Sequence, residues 1–155
     1  MPFIVRGLDP APFAPLYGLP DAELAVRNAR RVVADAAPGY PDRIELRDAR
    51  PGETLLLVNY EHQPHPTPYR ASHAVFVLEG ATEPATFLDE VPDPLRIRPI
   101  SLRAFDHTHN MIDAALIDGA DLAPLIHRFL ARPEVAYLHA HYAKRGCYAA
   151  LIERA

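Results

Sequence analysis

Tyr137-Leu-His139-Ala-His141-Tyr-Ala-Lys144-Arg145-Gly146-Cys147 lies between two stretches that read as strands, Val135 to Tyr142 and Cys147 to Arg154. A polar, glycine-ended connector of this length between two such runs is the signature of a hairpin, and a hairpin makes its strands antiparallel. Two registers are open. A three-residue loop of Lys144, Arg145 and Gly146 pairs Ala143 with Cys147 and puts the thiol on the His139/His141 face. A four-residue loop starting at Ala143 pairs Tyr142 with Cys147 and sends the thiol to the other side, because side chains alternate across a strand. Gly146 suits the bulge of the shorter loop and favours the first register.

Working outward, Phe3 to Arg6, Arg31 to Ala34, Arg43 to Leu46, Thr54 to Tyr60, Ala74 to Leu78, Ile100 to Phe105 and Met111 to Ile117 are rich in β-branched, leucine and aromatic residues. Each is bounded by proline, glycine or aspartate, so each reads as a strand. Leu55 to Val58 is apolar on both parities, as in a strand covered on both faces, whereas Ile100-Ser-Leu102-Arg-Ala104 alternates and has one wet face. Asp121 to Ala131 is the strongest helix: Leu122, Leu125, Ile126, Phe129 and Leu130 recur on one face, and Arg132-Pro133 stops it. A short helix runs from Pro20 to about Ala29. Strands outnumber helices and come in runs, which predicts an α+β fold with a mainly antiparallel sheet and two or three short helices, one domain over residues 1–155.

The bulk numbers limit the function classes. The 155 residues are 49% hydrophobic and 23% charged, the balance of a globular chain with one core. Sixteen basic against 20 acidic residues give a net charge of -4, so nucleic acid and anionic membranes are not expected partners. One cysteine forms no intrachain disulfide, and no leader or anchor pattern opens the chain, so the expected compartment is the cytoplasm. Seventeen prolines forbid long helices.

Chemistry concentrates in two places. In the hairpin, His139 and His141 share a strand face, and Cys147 beside them is a candidate nucleophile or a buried packing residue. Between two strands, Asn59 to His73 holds His62, His73, Tyr69, Arg70 and Ser72 among prolines, a stiff loop suited to binding. Arg70 is the candidate grip for an anionic group, or else pairs internally with Glu61 or Glu79. His107 and His109 belong to a turn, His127 to the helix surface, and Asp89, Glu90 and Asp93 to a solvated connector. The chain has eight histidines, but neither His-X-His pair has a third ligand in sequence, so no metal site is assigned. No phosphate loop, dinucleotide fingerprint or nucleophile elbow implies a cofactor.

Arg6-Gly-Leu8, Tyr60-Glu-His62, Pro68-Tyr-Arg-Ala-Ser72, Ser101-Leu-Arg-Ala-Phe-Asp106 and Ala143-Lys-Arg-Gly-Cys147 together resemble the bacterial family called domain of unknown function 1203. The resemblance implies a small single-domain bacterial protein and no particular reaction. Family members often carry Cys where Asp42 stands and Asn where Tyr142 follows His141, so the side chain that could orient His141 differs here.

The expected function is therefore that of a small-molecule enzyme or binder whose cleft lies between residues 60–73 and the 139–147 hairpin. Arg70, Tyr69, Ser72, His62 and His73 bind an anionic ligand, and His141, His139 and Cys147 carry acid/base or nucleophilic chemistry. The alternatives are a non-catalytic module binding a metal or a partner through the His139/His141 face, and a homodimer sealed by an edge strand.

Overall fold

The computed structural model describes residues 1–155. It is α+β, with nine strands in two antiparallel sheets and three short helices. The strands are β1 (Phe3–Arg6), β2 (Ala29–Val33), β3 (Thr54–Gln63), β4 (Ala71–Leu78), β5 (Thr86–Leu88), β6 (Pro99–Phe105), β7 (Met111–Asp118), β8 (Tyr137–Tyr142) and β9 (Tyr148–Arg154). The helices are α1 (Asp21–Val26), α2 (Asp93–Arg96) and α3 (Leu122–Leu130). The larger sheet runs β5-β1-β9-β8-β6-β7 and the smaller β2-β3-β4. No helix is long and apolar enough to cross a membrane.

Alternation along the central strands divides the larger sheet into two faces. Ile100, Leu102, Ala104, Leu138, Ala140 and Ile152 point to one, where Leu122, Leu125, Ile126, Phe129 and Leu130 of α3 close a 19-residue core. Each such side chain contributes at most about 1.5–3 kcal/mol, so this face is the thermodynamic centre of the fold. On the other face, Tyr148 joins the apolar residues of the smaller sheet, Leu55, Leu56, Val58, Val75 and Val77, in a second core. Leu55 to Val58 is covered on both faces, as its pattern predicts. The edge strand β7 alternates half-buried and exposed throughout, the mark of a strand with one wet face.

Pro41 to Leu46 ties the sheets together. The residue pattern predicts a strand over Arg43 to Leu46, but this segment is irregular. Its polar groups are spent elsewhere: Arg43 N–H donates to Phe76, Ile44 carbonyl accepts from Ala85, and Arg43 carbonyl accepts from Leu8. The buried Asp42 carboxylate accepts from the backbone N–H groups of Ile44, Glu45 and Leu78. Gly7 sits so close to this segment that a Cβ there would lie 2.0 Å from the Ile44 carbonyl oxygen. Only glycine permits the approach.

Two further expectations are corrected. The 59–73 stretch is mostly strand: β3 continues through a bulge to Gln63 and β4 begins at Ala71, leaving only residues 64–70 as connector. The acidic, proline-rich stretch after Leu88 is not a plain connector, since Pro92 precedes α2, whose Pro94 and Leu95 are buried.

Candidate metal centre

Where the smaller sheet lies over β8 and β9, four imidazoles and a phenol meet. Strand alternation brings His139 and His141 to the same face, and both are buried. Their register partners are Leu151 and Tyr148 on β9, and Arg103 and Ser101 on β6. From above, the β3 bulge between Tyr60 and Gln63 turns His62 inward, while its neighbour Glu61 stays exposed. His73, opposite Tyr60 on β4, stacks on His62 with ring centroids 4.7 Å apart and planes 4° apart. Tyr148 stacks on the His62 ring at 5.2 Å. His62 meets His141 edge-on at 4.9 Å and His139 at 5.7 Å.

The ring nitrogens are short of partners. His62 Nδ1 and Nε2, His73 Nδ1, His139 Nδ1 and His141 Nε2 are buried with no hydrogen bond to the protein. Leaving a buried polar atom unsatisfied costs about 1–3 kcal/mol, so five together rival the whole stability of a small domain. One ligand atom from each of His62, His139 and His141 falls within 4.8 Å of the others. A metal ion held by three imidazoles at about 2.0–2.1 Å requires such a convergence, tightened by small ring rotations. The third imidazole, absent next to the His139/His141 pair in sequence, comes from His62.

Protonation states favour ligation. Burial holds His62 at about 4, His139 at about 3 and His141 at about 2, with the Arg103 charge pushing each the same way. His73 is also lowered by burial, then by Arg103. At neutral pH these rings are uncharged and offer lone pairs. His141 Nδ1 lies 3.0 Å from the Gly146 carbonyl oxygen, which can only accept. Nδ1 therefore carries the proton, and the unpartnered Nε2 presents its lone pair to the cluster. A backbone carbonyl thus orients this histidine, with no need of an asparagine at position 142.

Cys147 does not share the histidine face. Tyr142 N–H donates to the Cys147 carbonyl at 2.9 Å, and Gly146 N–H to the Tyr142 carbonyl at 2.7 Å, so Tyr142 stands opposite Cys147. The register favoured by Gly146 is replaced by the alternative. Gly146 still adopts a positive φ of 77°, but within a loop one residue longer. The thiol lies against the α3-side core, and its sulfur accepts from Arg43 Nη2 at 3.1 Å.

The binding residues expected from 60–73 also divide. His62 and His73 face the cluster, whereas Tyr69 and Ser72 are exposed. Arg70 Nε donates to Glu61 Oε2 at 3.0 Å on the outer surface, the internal pair that was the competing expectation. His109 is not free in its turn, for its ring stacks on His65 at 3.4 Å and its Nδ1 lies 2.8 Å from the Tyr137 hydroxyl. His127 is exposed on α3, 3.5 Å from Asp89. Sequence reasoning missed Arg103 and Tyr148. The alternation of Ser101-Leu-Arg103 marked a polar face, but nothing in the sequence tied it to His139.

The fold and site define a class: a two-sheet α+β protein with a buried histidine cluster between its layers. The chain belongs to the family described as protein of unknown function (DUF1203), which matches residues 39–154 and so includes all four histidines. No curated protein and no solved structure matches it.

Proposed function

We propose that this protein binds one transition-metal ion through His62, His139 and His141 and uses the open coordination position to act on a small molecule. The observation that carries this reading is the convergence of three buried neutral imidazoles with unpartnered nitrogens. Three imidazoles suit zinc, and also copper, iron or nickel, better than the hard cations that prefer oxygen. A three-histidine centre leaves room for water or substrate, and a bound metal brings the pKa of that water to about 7. The His141–Gly146 bond supplies the outer support that ligating histidines use. His73, half-buried beside His62, is the group placed to exchange protons at the solvent side. The four histidines come from the two segments expected to form a cleft, so the small-molecule role is kept. Its chemistry moves from the thiol to the metal.

Elemental analysis of the purified full chain, followed by cobalt(II) titration of the chelator-treated protein, tests this reading. The expected result is one metal per chain and visible absorption of a nitrogen-ligated cobalt centre, both lost in His141→Ala and His62→Ala. A wild-type chain that takes up no cobalt refutes it.

A further inference from the structure

Seven arginines are at least partly buried, and six of them engage protein acceptors through two or three guanidinium nitrogens. Arg31, Arg47, Arg98 and Arg132 bind carboxylates. Arg154 spends its guanidinium on the carbonyls of Leu130, Arg132 and Val135. Arg43 reaches Tyr148 and Pro41 carbonyls and the Cys147 sulfur. Arg103 is different. Its Nε donates to Ser101 Oγ at 3.2 Å, and its two terminal nitrogens have no partner in the protein. It stands directly across from His139 on the neighbouring strand, on the histidine face, at a cross-strand Cβ separation of roughly 5 Å. Its charge bears on all four histidines, and no acidic group bears on it.

A half-buried guanidinium beside a divalent metal, with neutral imidazoles and no carboxylate around them, is an arrangement short of negative charge. Repulsion between two such cations in a partly desolvated site opposes metal binding unless an anion lies between them. The free terminal nitrogens form the planar fork that holds an oxyanion through two parallel hydrogen bonds. Directly opposite Arg103, β7 places the small Ala114; the other exposed residues of that strand are Ile112, Leu116 and Asp118, with Asp118 at the far end opposite Pro99, and Arg103 is left half-buried.

We infer that the molecule bound at this centre carries an oxyanion, a carboxylate or a phosphate, gripped by the free end of Arg103 while one of its oxygens reaches the metal. This rests on the metal reading above. It transfers the anion-binding role expected of Arg70 to a residue inside the site.

The test is titration of cobalt-loaded full-length protein with sodium acetate and, separately, with inorganic phosphate, read by the visible spectrum and by calorimetry. Arg103→Gln is expected to weaken the bound anion at least tenfold, Arg103→Lys less, and Arg70→Gln not at all. The acetate and phosphate arms identify which oxyanion is accepted. Cobalt affinity without added anion is expected to rise in Arg103→Gln, since a like charge has been removed, and circular dichroism checks that each variant is folded. Equal anion affinity in wild type and Arg103→Gln overturns the role of Arg103 while the metal centre stands. If wild type takes up no cobalt, the metal reading falls, and the same calorimetric comparison on metal-free protein decides the arginine by itself.

Discussion

His141 Nδ1 and the Gly146 carbonyl oxygen lie 3.0 Å apart, and this bond makes the turn of the hairpin an orienting element of the histidine cluster. The carbonyl points correctly because Gly146 has a φ of 77°, a conformation that costs a side-chain-bearing residue about 1–2 kcal/mol. Nothing lies within 4 Å of a Cβ at this position, so Gly146→Ala is strained in its backbone without being crowded. The expected outcome is a loss of about 1 kcal/mol in urea unfolding and a metal affinity lower by about tenfold. Gly146→Asn, which tolerates the left-handed region better, recovers part of both. Unchanged affinity in a destabilised Gly146→Ala shows that the carbonyl does not set the ring.

On the opposite side of the same turn, Arg43 is buried to 1% exposure with no carboxylate partner and lies over the Tyr142 ring at 4.9 Å. Its three donors hold the Tyr148 and Pro41 carbonyls and the Cys147 sulfur. Arg43→Met fills similar volume but leaves those acceptors unmatched, and is expected to destabilise the fold by about 2–4 kcal/mol. Cys147→Ser keeps a small acceptor in place and is expected to leave metal binding unchanged, because the thiol is not on the histidine face. Denaturant unfolding and cobalt titration of the two variants separate a structural hub from a ligand.

The parts of this architecture that could be read from sequence are those governed by local periodicity. β1 and α3 fall where alternation and the leucine stripe place them, and β6, β7 and β9 end within a residue or so of their expected limits. Local patterning reads Arg43 to Leu46 as extended, whereas the segment is shaped by backbone bonds to Leu8, Ala85 and Phe76 of β4. The site was half legible. The His139/His141 pair followed from alternation, but its third member depended on a bulge at Tyr60 to Gln63 that turns His62 under the sheet. A stretch with three prolines reads as loop, so sequence pattern does not mark Glu61, His62 and Gln63 as strand residues. Gly146 misled because a positive φ fits both hairpin loops, and only long-range packing of Cys147 beside Arg43 separates them.

His62 is a residue whose function works against stability. Its ring is sandwiched between His73 and Tyr148, yet neither of its nitrogens has a protein partner. His62→Phe keeps an aromatic ring in the stack and removes both buried polar atoms. In the presence of chelator, this variant is expected to be more stable than wild type by about 1–3 kcal/mol, while binding no cobalt. Thermal unfolding with and without metal gives both quantities. A variant less stable than wild type under chelation shows that protein or solvent already satisfies those nitrogens.

Arg70 and Glu61 form an ion pair with side chains 58% and 43% exposed. Such pairs contribute about 0–1 kcal/mol. Arg70→Ala is therefore expected to change unfolding by less than about 1 kcal/mol and to leave cobalt and phosphate binding as in wild type. A loss of ligand binding in Arg70→Ala with an intact fold returns the anion site to the outer loop and away from Arg103.

The pH dependence of metal-free protein follows from the same imidazoles. His62, His139 and His141 take up protons at about 4, 3 and 2 in the folded chain, against about 6.5 when unfolded. Above that value neither state is protonated and the groups add no pH slope. As pH falls below it, the unfolded chain binds protons that the folded chain refuses, so stability declines by up to about 1.4 kcal/mol per pH unit for each histidine. The decline from His62 ends near pH 4, while the other two continue lower. Glu53, held at about 2 by Arg47, adds a loss of the same sign only below its ordinary value of 4.5. Asp42, raised by burial, has the opposite sign. Between about pH 6.5 and 4.5 the histidines dominate, and urea unfolding across that window is expected to steepen as pH falls. His62→Phe is expected to lower the slope by one proton's share, and an identical slope in that variant shows that His62 titrates alike in both states.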